Sequence, residues 1–162
     1  MKCNYFFWNL VVIVKDNKML LIKRNKNDFQ GYVPPGGKIE FPETFFDSAR
    51  REVREETNLI VDNLEFKGLS GYINEIKGEQ FVYVDFYCSS FHGDLVKNGP
   101  EGLVEWVPLS RLNEIEIHPD IRVRINNILL NNNYEYQIFW DELKGKPKNK
   151  RLDITDSRNN NS

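Results

Sequence analysis

Three glutamates, Glu52, Glu55 and Glu56, crowd together in a stretch whose apolar residues recur at helical spacing. At about 100° per residue, taking Glu43 as zero, Glu55, Glu52 and Glu56 fall at roughly 120, 180 and 220°. The apolar set Phe45, Ala49, Val53 and Phe46 covers an arc of roughly 200 to 300°, which must face the core. The acidic stripe therefore runs into the buried seam, while Asp47, Arg50, Arg54 and Arg51 take the opposite arc. Like charges at three- and four-residue spacing repel, and partial burial adds a desolvation cost of several kcal/mol for each unpaired ion. The arrangement calls for a cation. A hard divalent ion such as Mg²⁺ or Mn²⁺ takes carboxylate and carbonyl oxygens and keeps positions for water and phosphate. The plainer alternative is neutralisation by Arg50, Arg51 and Arg54 as surface pairs, against which the wheel argues.

The elements around this helix set its position. Asn9 to Val14 and Met19 to Lys23 are predicted as paired strands, and Asn25 to Gly37 as a turn-rich loop carrying Gly31, Pro34, Pro35, Gly36 and Gly37. The helix is predicted over Thr44 to Thr57, with Pro42 at its start. Beyond it, β-like runs cover Leu59 to Val61, Leu64 to Ile73, Gln80 to Phe91 and Leu103 to Val107. A second helix is predicted at Pro119 to Leu130 and a last strand at Tyr134 to Trp140. Residues 1–143 are expected to form one domain, and 144–162 a polar, basic, flexible tail holding Lys144, Lys146, Lys148, Lys150 and Arg151.

Composition excludes several classes. The 162 residues suit a single core. A formal net charge of -2 gives no global field toward nucleic acid or anionic membrane, so no stable nucleic-acid partner is expected. The first apolar run, Tyr5 to Val14, is too short to span a bilayer. Cys3 and Cys88 lie far from each other and from any metal-type spacing, which points to a cytoplasmic location.

The stretch Gly37-Lys-Ile-Glu-Phe-Pro-Glu43, followed by Arg51-Glu52-Val53-Arg54-Glu55-Glu56-Thr57-Asn58-Leu59, resembles the Nudix box, G-x5-E-x7-R-E-U-x-E-E-x-G-U with U aliphatic. Asn58 stands where the box has glycine, and Asn is the next best residue for a left-handed helix end. The resemblance is to the MutT-like members. It implies an α/β fold, an α/β/α sandwich on a mixed β-sheet, and hydrolysis of a nucleoside diphosphate linked to another group with Mg²⁺ or Mn²⁺. It also implies that Glu52, Glu55, Glu56 and the backbone carbonyl of Gly36 bind metal, with Glu52 or Glu55 orienting the water. Glu43 and Arg51 would brace the loop that holds Gly37. A further metal ligand or base from a later loop is expected at Glu101, with Glu105 as competitor.

Specificity lies outside the box. Arg24 and Lys38 are candidate phosphate contacts. His118, Pro119 and Asp120 resemble the Trp-Pro-Asp-Asp element with which mammalian members read an oxidised purine, although His118 replaces Trp and Ile121 the second Asp. Val33 occupies a place where those enzymes carry a base-binding Asn. On residue types alone, His118-Pro119-Asp120 is equally a helix-start turn. The resemblance thus implies a nucleoside triphosphate diphosphatase acting on an 8-oxo-dGTP-like nucleotide. The alternatives are a pyrophosphohydrolase of nucleoside diphosphate sugars or 5′-triphosphate RNA, or a nucleotide sensor without turnover. The oligomeric state stays open, a homodimer included.

Overall fold

The computed structural model describes residues 2–26 and 29–155. In chain order the elements are β1 (Asn4–Lys15), β2 (Lys18–Lys26), β3 (Phe29–Val33), α1 (Phe45–Thr57), β4 (Ile60–Val61), β5 (Glu65–Asn74) and β6 (Glu79–Cys88). Next come β7 (Phe91–His92), β8 (Asn98–Gly99), β9 (Gly102–Pro108), α2 (Pro119–Leu129), β10 (Asn133–Asp141) and β11 (Lys146–Thr155). The principal sheet runs β11-β10-β5-β6-β1-β2-β9-β8, with β3 also on β2. It is mixed, since β1 runs parallel to β6 and β10 parallel to β5 while the other neighbours are antiparallel.

Each face of the sheet carries a helix. Val11 and Ile13 of β1, with Leu20 and Ile22 of β2, pack on Ala49 and Val53 of α1. Leu10, Val12, Met19 and Leu21 point the other way, onto Ile125 and Ile128 of α2 and onto Tyr134, Tyr136 and Ile138 of β10. Strands covered on both faces read as continuous apolar runs, which is why β1 and β2 show little alternation. The α/β/α sandwich and mixed sheet implied by the sequence are present. No helix of the described residues is long and apolar enough to cross a membrane.

β1 and β2 pair only beside their connecting turn, through Val14 with Met19 and Lys15 with Lys18. Beyond that point they part, and the chain after β3 fills the opening. Asn9 N donates to Gly37 O and Val11 N to Pro35 O, each at 2.8 Å, and Ile39 N donates to Phe7 O at 2.9 Å. The glycine-rich loop is thereby stitched to a core strand. Gly36 suits this because a Cβ there would stand 2.2 Å from Asn9 O.

The α1 helix is capped at both ends. Thr44 Oγ1 accepts from Asp47 N at 3.1 Å, and Asn58 adopts the left-handed conformation, φ 64°, while its N–H bonds Arg54 O. Asn thus supplies the turn for which the box uses glycine.

Several sequence expectations change, and the run expected over Gln80 to Phe91 divides into β6, ending at Cys88, and β7, which pairs with β4. Phe45 and Phe46 are 43% and 39% exposed rather than buried. They lie in the first turn and cover only one side each, Phe45 stacking on Phe7 and Phe46 edge-on to Phe86. The loop expected at Asn25 to Gly37 contains β3, whose Tyr32 and Val33 pair with Lys23 and Ile22 despite the turn-forming residues around them. β1 begins at Asn4, not Asn9, because parallel pairing with β6 runs from Asn4 through Ile13. The segment read as a flexible tail forms β11, paired with β10 from Asp141 with Lys146 to Asn133 with Thr155. Its side chains are exposed on both faces, so main-chain hydrogen bonding to β10 organises it without a buried stripe. The end of the expected tail, 156–162, lies outside the described residues.

Candidate active site

One turn of α1 separates Glu52 from Glu56, so both carboxylates approach the loop at Gly36 and Gly37. Glu56 is buried, and its Oε2 accepts from Gly36 N at 3.4 Å. Burial, reinforced by the neighbouring Glu52 charge, pushes the Glu56 carboxyl up to about 9. Burial also pushes up the half-buried Glu52, against the opposing pull of Arg51. The Glu52 carboxylate lies over the loop where Gly37 has no side chain, since a Cβ there would fall 2.4 Å from Glu52 Cδ. Gly37 therefore leaves room for Glu52, as Gly36 does for β1.

Arg51 braces this corner. Its Nε and Nη2 donate to Glu43 Oε2 and Oε1 at 2.6 and 2.9 Å, and Nη2 also donates to Lys38 O at 3.1 Å. This fork ties helix to loop, and hydrogen bonding from Arg51 holds the Glu43 carboxyl below its ordinary value. Arg51 Nη1 further donates to Glu52 at 3.0 Å and Glu55 at 3.2 Å. Glu55 is thus turned along the exposed helix surface, with 56% of its side chain exposed. Among the described residues no three His, Cys, Asp or Glu side chains converge on one metal-sized point. Glu52 and Glu56 come together, and Glu55 stands apart.

A cavity of about 310 Å³ opens beside this pair, lined by the acids Glu52, Glu56 and Glu101 and by the bases Arg24, Lys26 and Lys38. Glu101 accepts from Lys26 Nζ at 2.6 Å and lies 3.9 Å from Arg24 Nη2. Its competitor Glu105 does not line this cavity and instead accepts from Tyr32 OH at 3.1 Å. Lys26 escaped the sequence reading, although it stands two residues beyond Arg24 on one strand and so shares its face.

A second cavity, of about 440 Å³, meets the first at Trp8, Arg24, Val33 and the Gly36-Gly37 loop. Its lining also carries Tyr72, Tyr83 and Tyr136, together with His118 at the cap of α2 and Asp120 and Arg124 within it. Trp8 Nε1 on the shared wall is a buried donor with no hydrogen-bond partner among the described residues. Both candidate base-reading residues line this cavity, and both also do local work. His118 caps α2, its Nδ1 accepting from Asp120 N at 3.2 Å, as a helix-start turn requires. Asp120 Oδ1 accepts from Tyr136 OH at 2.8 Å and from Lys150 Nζ at 2.7 Å.

Beneath the aromatic wall lies a charge cluster that sequence reasoning missed. Asp85 of β6 is fully buried and takes Arg124 in a fork, Nε to Oδ2 at 3.0 Å and Nη2 to Oδ1 at 2.6 Å. Tyr134 OH and Ser70 Oγ donate to the same carboxylate. The Arg124 guanidinium stacks on Tyr83 at 4.6 Å. The available signal was an aspartate inside the apolar run of β6, although its partner is 39 residues away.

Comparison with known proteins gives the family and the fold. The NUDIX domain model matches residues 8–127. An uncharacterised Nudix hydrolase of Bacillus subtilis, YvcI, is 30% identical over 112 residues, covering 67% of this chain and 69% of its own. An ADP-ribose pyrophosphatase of Methanocaldococcus jannaschii is 52% identical over 50 residues, 30% of each chain. Among solved structures, the MutT protein from Bacillus halodurans superposes with a TM-score of 0.80 at 22% identity, covering 91% of this chain and 97% of that one.

Proposed function

Because the chain belongs to the Nudix family of phosphoanhydride hydrolases, we propose that it cleaves a nucleoside triphosphate to nucleoside monophosphate and pyrophosphate, with an oxidised purine nucleotide of the 8-oxo-dGTP kind as the leading candidate. The observation that carries the reading is the junction of two unlike cavities at Gly36 and Gly37, one lined by charges of both signs and the other by aromatic rings. A substrate with phosphates at one end and a flat ring system at the other matches that pair. On this reading residues 1–143 are one Nudix domain, to which β11 adds an edge strand.

The donor chemistry fits a hard divalent cation. Glu52, Glu56 and the Gly36 carbonyl offer only oxygen, and the elevated Glu56 carboxyl marks a site where negative charge lacks compensation. Glu52 and Glu56 with Gly36 are the proposed holders of Mg²⁺ or Mn²⁺. Glu55 and Glu101 would complete the set by leaving Arg51 and Lys26, their present partners. When bound, such an ion neutralises phosphoryl oxygens and acidifies a bound water. The chain's own groups do the rest. Arg24, Lys26 and Lys38, which line the same cavity as the acids, receive phosphate oxygens. Between the two candidates for orienting water, the half-buried Glu52 beside the Gly37 loop is better placed than the exposed Glu55 on Arg51. Arg51 and Glu43 hold the loop against the helix and stay out of the chemistry.

A second reading, hydrolysis of ADP-ribose or a similar nucleoside diphosphate sugar, draws support from the name of the Methanocaldococcus relative, whose match is short. A panel of ordinary and 8-oxo purine triphosphates, ADP-ribose, a diadenosine polyphosphate and 5′-triphosphate RNA, each assayed with Mg²⁺ and with Mn²⁺, separates the readings by relative kcat/KM. A lead for 8-oxo purine triphosphates supports the assignment. A lead for ADP-ribose replaces it with the second reading, and tight binding without turnover makes the protein a sensor.

The role of Gly37 gives a local check. In Gly37→Ala the new methyl group meets the flexible end of Glu52 rather than backbone. The fold should hold within about 1 kcal/mol by urea unfolding, whereas kcat/KM should fall about 10- to 100-fold because Glu52 is displaced.

A further inference from the structure

The family match ends at residue 127, yet the aromatic cavity is finished by a strand beyond that point, and a second strand reaches one of its lining residues. Tyr136 and Ile138 of β10 line it, and Lys150 of β11 reaches back to the carboxylate at the start of α2. Asp120 has 10% of its side chain exposed. Tyr136 OH and Lys150 Nζ converge on the same oxygen, Oδ1, from two adjacent strands. Oδ2 is 3.8 Å from His118 Nδ1, beyond hydrogen-bond reach, and so retains its capacity to accept. Four residues further along the helix, Arg124 is fixed by Asp85 on the same cavity wall. One helical face thus presents an acceptor and a donor side by side.

We propose that Lys150 is a positioning residue for substrate choice. With Tyr136 it anchors one oxygen of Asp120, so that the other is offered to an N–H donor on the base of a nucleotide held in the aromatic cavity. The inference rests on the reading that this cavity takes the nucleoside half of the substrate, and it assigns β11 a part in selecting that half. Charge alone does not explain the strand. Its other lysines stand in solvent, whereas Lys150 meets a buried carboxylate 30 residues away in sequence. Because β11 has no buried side chain, changing Lys150 leaves the core intact.

The test is equilibrium binding of nucleoside 5′-monophosphates to the metal-free protein, by calorimetry, so that it does not depend on turnover. Guanosine monophosphate carries N–H donors on its base. Purine riboside monophosphate has the same ring system without them. Lys150→Met should weaken binding of the first about tenfold, the loss of one well-placed hydrogen bond, and leave the second unchanged. Lys150→Arg should recover most of the loss, and Asp120→Asn should reproduce the Lys150→Met pattern. Equal weakening of both ligands would overturn the proposal in favour of a structural role for Lys150. Unchanged binding of both, or no nucleotide binding by the wild-type protein, would also overturn it. If wild type binds as expected but hydrolyses no phosphoanhydride when metal is supplied, the proposed function fails while this inference stands.

Discussion

Glu56→Gln should cut kcat/KM with Mg²⁺ by about 10³-fold while leaving the fold intact. Glutamine keeps the shape and an oxygen for the Gly36 N–H but removes the charge on which the proposed metal site depends. The same substitution has a signature without metal. Burial and Glu52 raise the Glu56 carboxyl from 4.5 to about 9 on folding. The folded state therefore holds this proton more firmly than the unfolded chain. The associated stabilisation is complete below the unfolded value and is withdrawn as pH rises through about 9. Metal-free wild type should lose melting temperature across that window, and Glu56→Gln should lose less. Saturating Mg²⁺ should flatten the wild-type curve, because the ion replaces the proton. Thermal unfolding at several pH values, with and without metal, measures all three curves. A wild-type slope no steeper than that of the variant would sink the account of Glu56.

Asp85→Ala should be the most destabilising change of a single polar side chain in the molecule. It strands the buried Arg124 guanidinium and removes the acceptor used by Tyr134 and Ser70. Breaking a buried pair from one side costs about 3–5 kcal/mol, an expected fall of about 10 °C in Tm for a chain of this size. The double replacement Asp85→Asn with Arg124→Met should recover part of that loss, since no charge is then left unpaired. Chemical denaturation of the single and double variants gives the comparison. A single variant within about 1 kcal/mol of wild type would show that the cluster is not structural.

The sequence disclosed most where the physics is local. The α1 helix and its Asn58 cap follow from spacing and turn chemistry within one continuous stretch, whereas the loop expected from Asn25 holds β3. Glu52 and Glu56 came together as the wheel required, and the Arg51 fork onto Glu43 has the bracing form implied by the resemblance. The placement of Glu55 did not follow from the wheel, because a helix angle does not say which of several carboxylates an arginine will hold. Asp85 and Arg124 were illegible for another reason, their meeting being set by how β6 and α2 stack across the sheet. β11 was hidden by composition. A strand bare on both faces has no apolar period to detect, and its alternating lysines read equally well as a solvated tail.

The parting of β1 and β2 has a kinetic consequence. A loop hydrogen-bonded to a core strand through Asn9, Val11 and Phe7 cannot swing open without breaking the sheet that holds it. The end of the cleft that carries Glu52 and Glu56 is therefore a fixed anvil, ready before any ligand arrives.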